Sequence, residues 1–159
     1  MENQIIETGC CKKFDPQPWD EKEITWQEKL FVKDRVKSLF HIPLNFGKMV
    51  IKNMTKMEKA GAVGEQLMLV DENSLWGADA YIAVNKEVPD AQMEKISGTF
   101  LTKVFEGPYK DARKWLKQMD EFAKNRNFEY SRIYFSYTTC PACAKAYGKN
   151  YVILFAKKK

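Results

Sequence analysis

The sequence predicts an α+β fold: a duplicated strand-helix-strand-strand unit forming an antiparallel sheet, with two helices on one face and a central ligand groove. Two observations lead to this prediction. An apolar strand ends at Phe105 and turns into Pro108, and proline suits the first position of a helix. The same order, phenylalanine and then proline before an amphipathic run, occurs upstream at Phe40 and Pro43.

Both segments that follow these prolines have the apolar spacing of a helix. The run after Pro43 has apolar residues from Val50 to Met57 at positions that match the second run. The pattern therefore indicates an internal repeat, with residues 1–28 as an N-terminal extension, repeat one at about 29–88 and repeat two at about 94–157. In the second run the apolar residues recur three and four positions apart: Tyr109, Ala112, Trp115, Leu116, Met119, Phe122 and Ala123.

Alternating segments around the two helices predict the strands. In the first of them Asp34 interrupts an otherwise apolar face, which indicates a bulge or a polar site. Two strands then follow each helix, as the repeat requires. The predicted strands cover residues 29–42, 66–70 and 79–84 in the first half and 95–105, 129–137 and 151–156 in the second.

Composition indicates a globular protein. Of the 159 residues, 45% are hydrophobic and 13% aromatic, which is too apolar for a disordered chain. No apolar run approaches the ~20 residues of a membrane-spanning helix, and the polar N-terminus lacks the order of a signal peptide. The net charge is +5, and the basic residues do not form the pattern of a helix that recognises nucleic acid. We therefore expect a cytoplasmic protein, a monomer or weak dimer, without nucleic-acid or membrane partners.

Three motifs carry a family resemblance: the turn at Phe105–Tyr109 into a Trp-bearing helix, the strand ending in Ile133-Tyr134, and the segment Trp76–Tyr81. Over about residues 29–157 they resemble the GyrI-like small-molecule-binding domain, the SOUL/GyrI type of effector-binding fold. Members include effector-binding halves of multidrug-sensing regulators, inhibitors of DNA gyrase, and hydrolases of strained cyclopropane-bearing toxins. The resemblance implies a stand-alone bacterial member.

The resemblance also implies a groove for a small amphipathic or aromatic molecule. Arg132 stands where the family often has a glutamate, so an anionic or neutral ligand is favoured over a cationic drug. Tyrosine and tryptophan offer flat contact area with a polar handle, although aromatic residues in strands are more often core. The candidate ligand-binding residues are Trp76, Tyr81, Glu106, Tyr109, Tyr130, Arg132 and Tyr134.

Glu106 is the candidate catalytic residue. Its place before a helix makes it a ligand anchor or general acid/base, and the competing interpretation is a carboxylate that complements the helix dipole. The only histidine, His41, occupies the matching position of the first repeat and is more often structural in such a setting. Binding is favoured over catalysis, and the alternative is a hydrolase of strained electrophilic, cyclopropane-type molecules that uses Glu106 to activate water.

The cysteines leave a third alternative, a metal- or redox-responsive protein. Cys140 and Cys143 have the spacing of a zinc knuckle or dithiol, and Cys10 and Cys11 could complete a four-ligand zinc site. Against a zinc site, the adjacent residues Cys10 and Cys11 are poorly placed to bind the same ion. Against a thioredoxin-type dithiol, Cys140 and Cys143 lie near the C-terminus and do not precede a long helix. Structural or pocket-lining cysteines are the other possibility. No cofactor is required by the sequence, and zinc is the one that its cysteines could hold.

Overall fold

The computed structural model describes residues 14–39, 42–43, 46–74, 76–138, 148 and 150–159. The chain divides into two compact units. The central unit is Thr25–Thr99. The terminal unit combines the chain before Thr25 with Phe100–Lys159. Each is described by itself.

The elements follow one another in the order strand, helix, strand, strand, twice, with one short strand added after the first. In the first half they are β1 (Lys22–Leu39), β2 (Ile42–Pro43), α1 (Phe46–Lys59), β3 (Val63–Ser74) and β4 (Gly77–Val84). In the second half they are β5 (Gln92–Glu106), a 3-10 turn (Tyr109–Asp111), α2 (Ala112–Asn125), β6 (Tyr130–Tyr137) and β7 (Tyr151–Lys158).

The central unit is an antiparallel sheet in the order β2-β1-β4-β3, with α1 as its helix. Met57 of the predicted apolar run is buried, whereas Ile51 is 68% exposed, and the other buried apolar residue of α1 is Met49, which the predicted run did not include. The helix ends at Lys59, and Gly61 just after it has a φ of 63° that glycine adopts without strain. The N–H of Ala62 then donates to the carbonyl of Met57 at 2.9 Å, so that the last turn is closed by backbone hydrogen bonds.

The terminal unit contains the order β6-β7-β5 and packs α2 against a hydrophobic cluster. Trp115 stacks on Phe105 with ring centroids 5.9 Å apart, and Met119 and Ala123 are fully buried. The predicted apolar face of this helix is therefore confirmed. Trp19 lies edge-on to Phe155 at 5.6 Å, and its carbonyl accepts a hydrogen bond from Thr102 Oγ1 at 2.6 Å.

The predicted α+β class, with two helices on one face of a sheet and a central groove, is wrong. The described part of the chain is mostly antiparallel sheet, with seven strands and only two α-helices, and β1 pairs with β5 as well as with β4. The strands are also longer than expected: β1 has 18 residues and β5 has 15, whereas strands average about 5–6. β1 begins at Lys22 rather than at Lys29. The added residues include polar ones such as Thr25, whose hydroxyl is hydrogen-bonded to that of Thr99 at 3.0 Å. An apolar pattern therefore did not mark this part of the strand.

Candidate functional site

Three charged residues lie side by side across the sheet of the central unit. The pairing of β1 with β4 sets Arg35 opposite Asp79, and the pairing of β3 with β4 sets Asp71 opposite the same Asp79. Residues paired in this way project from one face, with Cβ atoms about 4.5–5.5 Å apart. Arg35 Nη1 donates to Asp79 Oδ1 at 3.0 Å. We call these three residues the Asp-Asp-Arg row.

An aromatic residue lies in the next row along the same face. Tyr81 pairs with Lys33 on one side and Leu69 on the other. Its ring is buried, with 6% exposed, and meets Phe31 edge-on at 6.4 Å. The ammonium of Lys33 is 5.7 Å from the ring centroid, a cation–π distance. The row is thus bordered by an apolar surface on this side.

Gly77 makes room for the guanidinium of Arg35. A Cβ atom added at Gly77 would be 2.8 Å from Arg35 Nη2 and 2.9 Å from Nε, which is closer than such atoms approach. The position of Arg35 beside Asp79 therefore depends on the absence of a side chain there. Arg35 keeps about half of its side chain exposed, 49%, and Asp79 keeps 20%, so that both side chains are in contact with solvent.

The opposite face of β1 is tied to α1 by Asp34. One oxygen of this carboxylate accepts hydrogen bonds from Asn53 Nδ2 and Lys52 Nζ, both at 2.8 Å, and the other accepts the N–H of Arg35 at 2.7 Å. Burial acts to raise the pKa of Asp34, but these hydrogen bonds together outweigh it and hold the pKa below its usual value. Asp34 is thus a polar contact between strand and helix.

The predicted site residues divide between the two units. Trp76 and Tyr81 belong to the central unit, where Trp76 is in the turn before β4 with 62% of its surface exposed. Glu106 belongs to the terminal unit, is exposed, and pairs with Tyr151 at the end of β5. Tyr109 begins the 3-10 turn that leads into α2. The ligand and catalytic roles of these residues stay predictions.

Next to Glu106, two hydrogen bonds join Gly107 to Asn150. The N–H of Gly107 donates to the Asn150 carbonyl at 3.0 Å, and Asn150 Nδ2 donates to the Gly107 carbonyl at 2.7 Å. Gly107 has a φ of 139°, which excludes most other residues. The predicted turn after Phe105 is therefore held by Asn150, the residue that directly precedes β7. No sequence pattern indicated this contact.

A bulge in β6 separates two of the predicted ligand residues. The register with β7 shifts between Tyr130 and Arg132. Tyr130 packs against the cluster beneath α2 and donates its hydroxyl to Asp120 Oδ1 at 2.8 Å; burial and this bond to a carboxylate raise its pKa to about 12. Arg132 instead lies 5.9 Å from the ring of Tyr134, which is buried against Phe100. In a regular strand without this bulge, residues 130, 132 and 134 would share one face.

Sequence reasoning missed the Asp-Asp-Arg row. The predicted strands end at residue 70 and resume at residue 79, so that Asp71 lies outside them although it belongs to β3. The available signal was the alternation of Lys33, Arg35 and Lys37, which puts three cations on one face of β1. Cys10, Cys11, Cys140, Cys143 and His41 lie outside the described residues, and the zinc site stays a prediction.

Neither a metal-binding cluster nor a membrane-spanning helix is found in the part of the chain that the structure describes. Within the ranges given above, no group of three or more His, Cys, Asp or Glu side chains is arranged to hold a metal ion. No helix in that same part of the chain is long and apolar enough to cross a membrane.

Comparison with known proteins gives one family. A family model described as bacterial hydrolase matches residues 1–158. The comparison with curated proteins returned no match. The predicted GyrI-like, SOUL-type assignment is wrong, because the matching family is a different one. The motifs behind it, a glycine-proline turn and an aromatic strand, are short patterns that other sheet proteins with a strand-to-helix turn can share.

Proposed function

Because the chain belongs to the bacterial hydrolase family, we propose that it hydrolyses a small molecule at the Asp-Asp-Arg row. The observation that supports this location is the direct pairing of Asp71 with Asp79 on adjacent strands, with Arg35 bonded to Asp79 at 3.0 Å. Two neighbouring carboxylates beside a guanidinium are the groups from which general acid/base hydrolysis can be built.

The three residues take different roles in this proposal. Arg35 stabilises the negative charge of Asp79, so Asp79 orients water through a hydrogen bond. Asp71 lies directly across from Asp79 on the neighbouring strand, next to the water that Asp79 would hold, and is the general base in this proposal. Asp71 takes one proton from the water molecule while the water oxygen forms a bond to a ring carbon of the substrate. The bond between that carbon and a neighbouring ring atom breaks, and Asp71 passes the proton to the atom that leaves. Water is consumed and no other reagent is needed.

Strained electrophilic rings of the cyclopropane type are the proposed substrate class. Ring strain supplies driving force, so that the enzyme needs an activated water and a proton donor rather than a covalent nucleophile. Arg35 and Lys33 balance the formal charges of Asp71 and Asp79, which favours neutral substrates. The proposal also holds that the enzyme is cytoplasmic and is a monomer or a weak dimer. Binding of a small aromatic or amphipathic molecule without turnover is the competing function.

The test is turnover of a panel of cyclopropane and epoxide electrophiles in isotopically labelled water, followed by mass spectrometry. We expect the label in the product, and we expect Asp71→Asn to lower kcat by about 10²- to 10⁴-fold. The matched control is Glu106→Gln, which neutralises the other candidate carboxylate. Loss of turnover in Glu106→Gln with normal turnover in Asp71→Asn would move the base to Glu106. Saturable binding without labelled product would favour the competing function.

A further inference from the structure

A cavity in the central unit is lined by three lysines. It lies where α1 ends and the chain leaves β4, and its volume is about 530 Å³, within the range of small-molecule sites. Lys56 and Lys59 come from α1, and Lys86 comes from the segment after β4. Glu87 and Asp90 also line it, so that its formal charge is positive.

The walls of this cavity are fixed by direct contacts. Lys56 Nζ donates to the carbonyl of Asp90 at 2.7 Å, which ties α1 to the segment after β4. Val88 is buried, with 2% exposed, and anchors that segment. Asn85 N–H donates to the carbonyl of Ala62 at 3.0 Å, which holds the other end of the same segment to the chain after α1. The cavity is therefore part of the folded unit.

The helix end does not account for all three lysines. Cations gather at helix C-termini because the terminal carbonyls carry partial negative charge. Here the carbonyls of Met57 and Glu58 already accept the N–H groups of Ala62 and Gly61 at 2.9 and 3.1 Å. Neither Lys59 nor Lys86 is ion-paired with any residue in the described part of the chain. Two ammonium groups thus border the cavity without an anionic partner among those residues.

We propose that this cavity binds a small, multiply charged oxyanion through Lys59 and Lys86. Phosphate esters and di- or tricarboxylates share this chemistry. Asp79 lies in β4, and Lys86 lies two residues beyond the end of that strand. At about 3.3 Å per residue, their positions are roughly 20 Å apart. The site is therefore separate from the Asp-Asp-Arg row. It therefore does not depend on the proposed hydrolytic function.

Calorimetric titration at low salt tests the proposal, with sodium pyrophosphate and sodium citrate as separate probes. We expect saturable binding of at least one probe, and the tighter probe identifies phosphate or carboxylate as the preferred group. The double variant Lys59→Ala/Lys86→Ala should bind at least roughly tenfold more weakly. The control Lys48→Ala/Lys110→Ala removes two exposed lysines outside the cavity and should leave the affinity within about twofold.

Absence of saturable binding for both probes, or equal weakening in the control, would overturn the proposal. Circular dichroism establishes that each variant is folded. Should Lys59→Ala/Lys86→Ala fail to fold, Glu87→Gln is measured instead. It removes an exposed carboxylate from the lining and should tighten binding, and an unchanged or weaker affinity would also refute the site.

Discussion

Asn53 donates a hydrogen bond from Nδ2 to Asp34 Oδ2 at 2.8 Å, and thereby joins the middle of α1 to β1. The same amide nitrogen donates to the carbonyl of Met49 at 2.9 Å, and only 2% of Asn53 is exposed. Asp34 also accepts the N–H of Arg35. The carboxylate that anchors the helix is therefore the direct neighbour of the proposed substrate-site arginine, on the other face of the strand.

Asn53→Ala should destabilise the protein by about 1–3 kcal/mol, because it leaves buried hydrogen-bonding groups without their partner. Urea unfolding followed by circular dichroism measures the change. Thr55→Ala is the control on the same helix, since Thr55 is exposed and its hydroxyl only bonds back to the Ile51 carbonyl. It should change the free energy of unfolding by less than about 0.5 kcal/mol. Equal effects of the two variants would contradict the anchoring role of Asn53.

Gly77→Ala should displace the guanidinium of Arg35 and lower both stability and turnover. The new Cβ would also be 3.0 Å from the Val36 carbonyl oxygen, so that the strand itself must shift. We expect a loss of about 1–3 kcal/mol in the free energy of unfolding, as for other overpacked sites, and a lower kcat on any substrate found in the hydrolysis screen.

The matched control for this glycine is Gly47→Ala, at a helical position where the added Cβ would have no atom within 4 Å apart from its chain neighbours and the backbone of its own helix. Alanine is a better helix former, so this variant should gain up to about 1 kcal/mol. A Gly77→Ala protein that keeps its stability and turnover would show that the contact with Arg35 is unimportant.

Tyr130 should make stability fall at high pH. Its pKa is raised from 10.0 to about 12, first by burial and then by the hydrogen bond to Asp120. A group whose folded pKa is raised contributes stability below its unfolded pKa, and this stability is lost as the pH rises from 10 to 12. Unfolding measured across that interval should decline less in Tyr130→Phe than in the wild type. Identical slopes would show that Tyr130 does not carry the effect.

Local patterns predicted the parts of the fold that depend on local physics. The apolar spacing around Trp115 and Met119 predicted α2, and both of these residues are buried on its inner face. The row formed by Asp71, Asp79 and Arg35 could not be predicted in this way, because it depends on which strands pair and in what register. The β6 bulge next to Tyr130 likewise depends on pairing with β7.

The division of the chain has a consequence for the order in which the protein forms during synthesis. The terminal unit draws on both ends of the chain, whereas the central unit is the continuous stretch Thr25–Thr99. Synthesis runs from the N-terminus, and units of this kind fold as their residues emerge. The central unit, with the Asp-Asp-Arg row and the lysine-lined cavity, is complete in the nascent chain while β6 and β7 have yet to be translated.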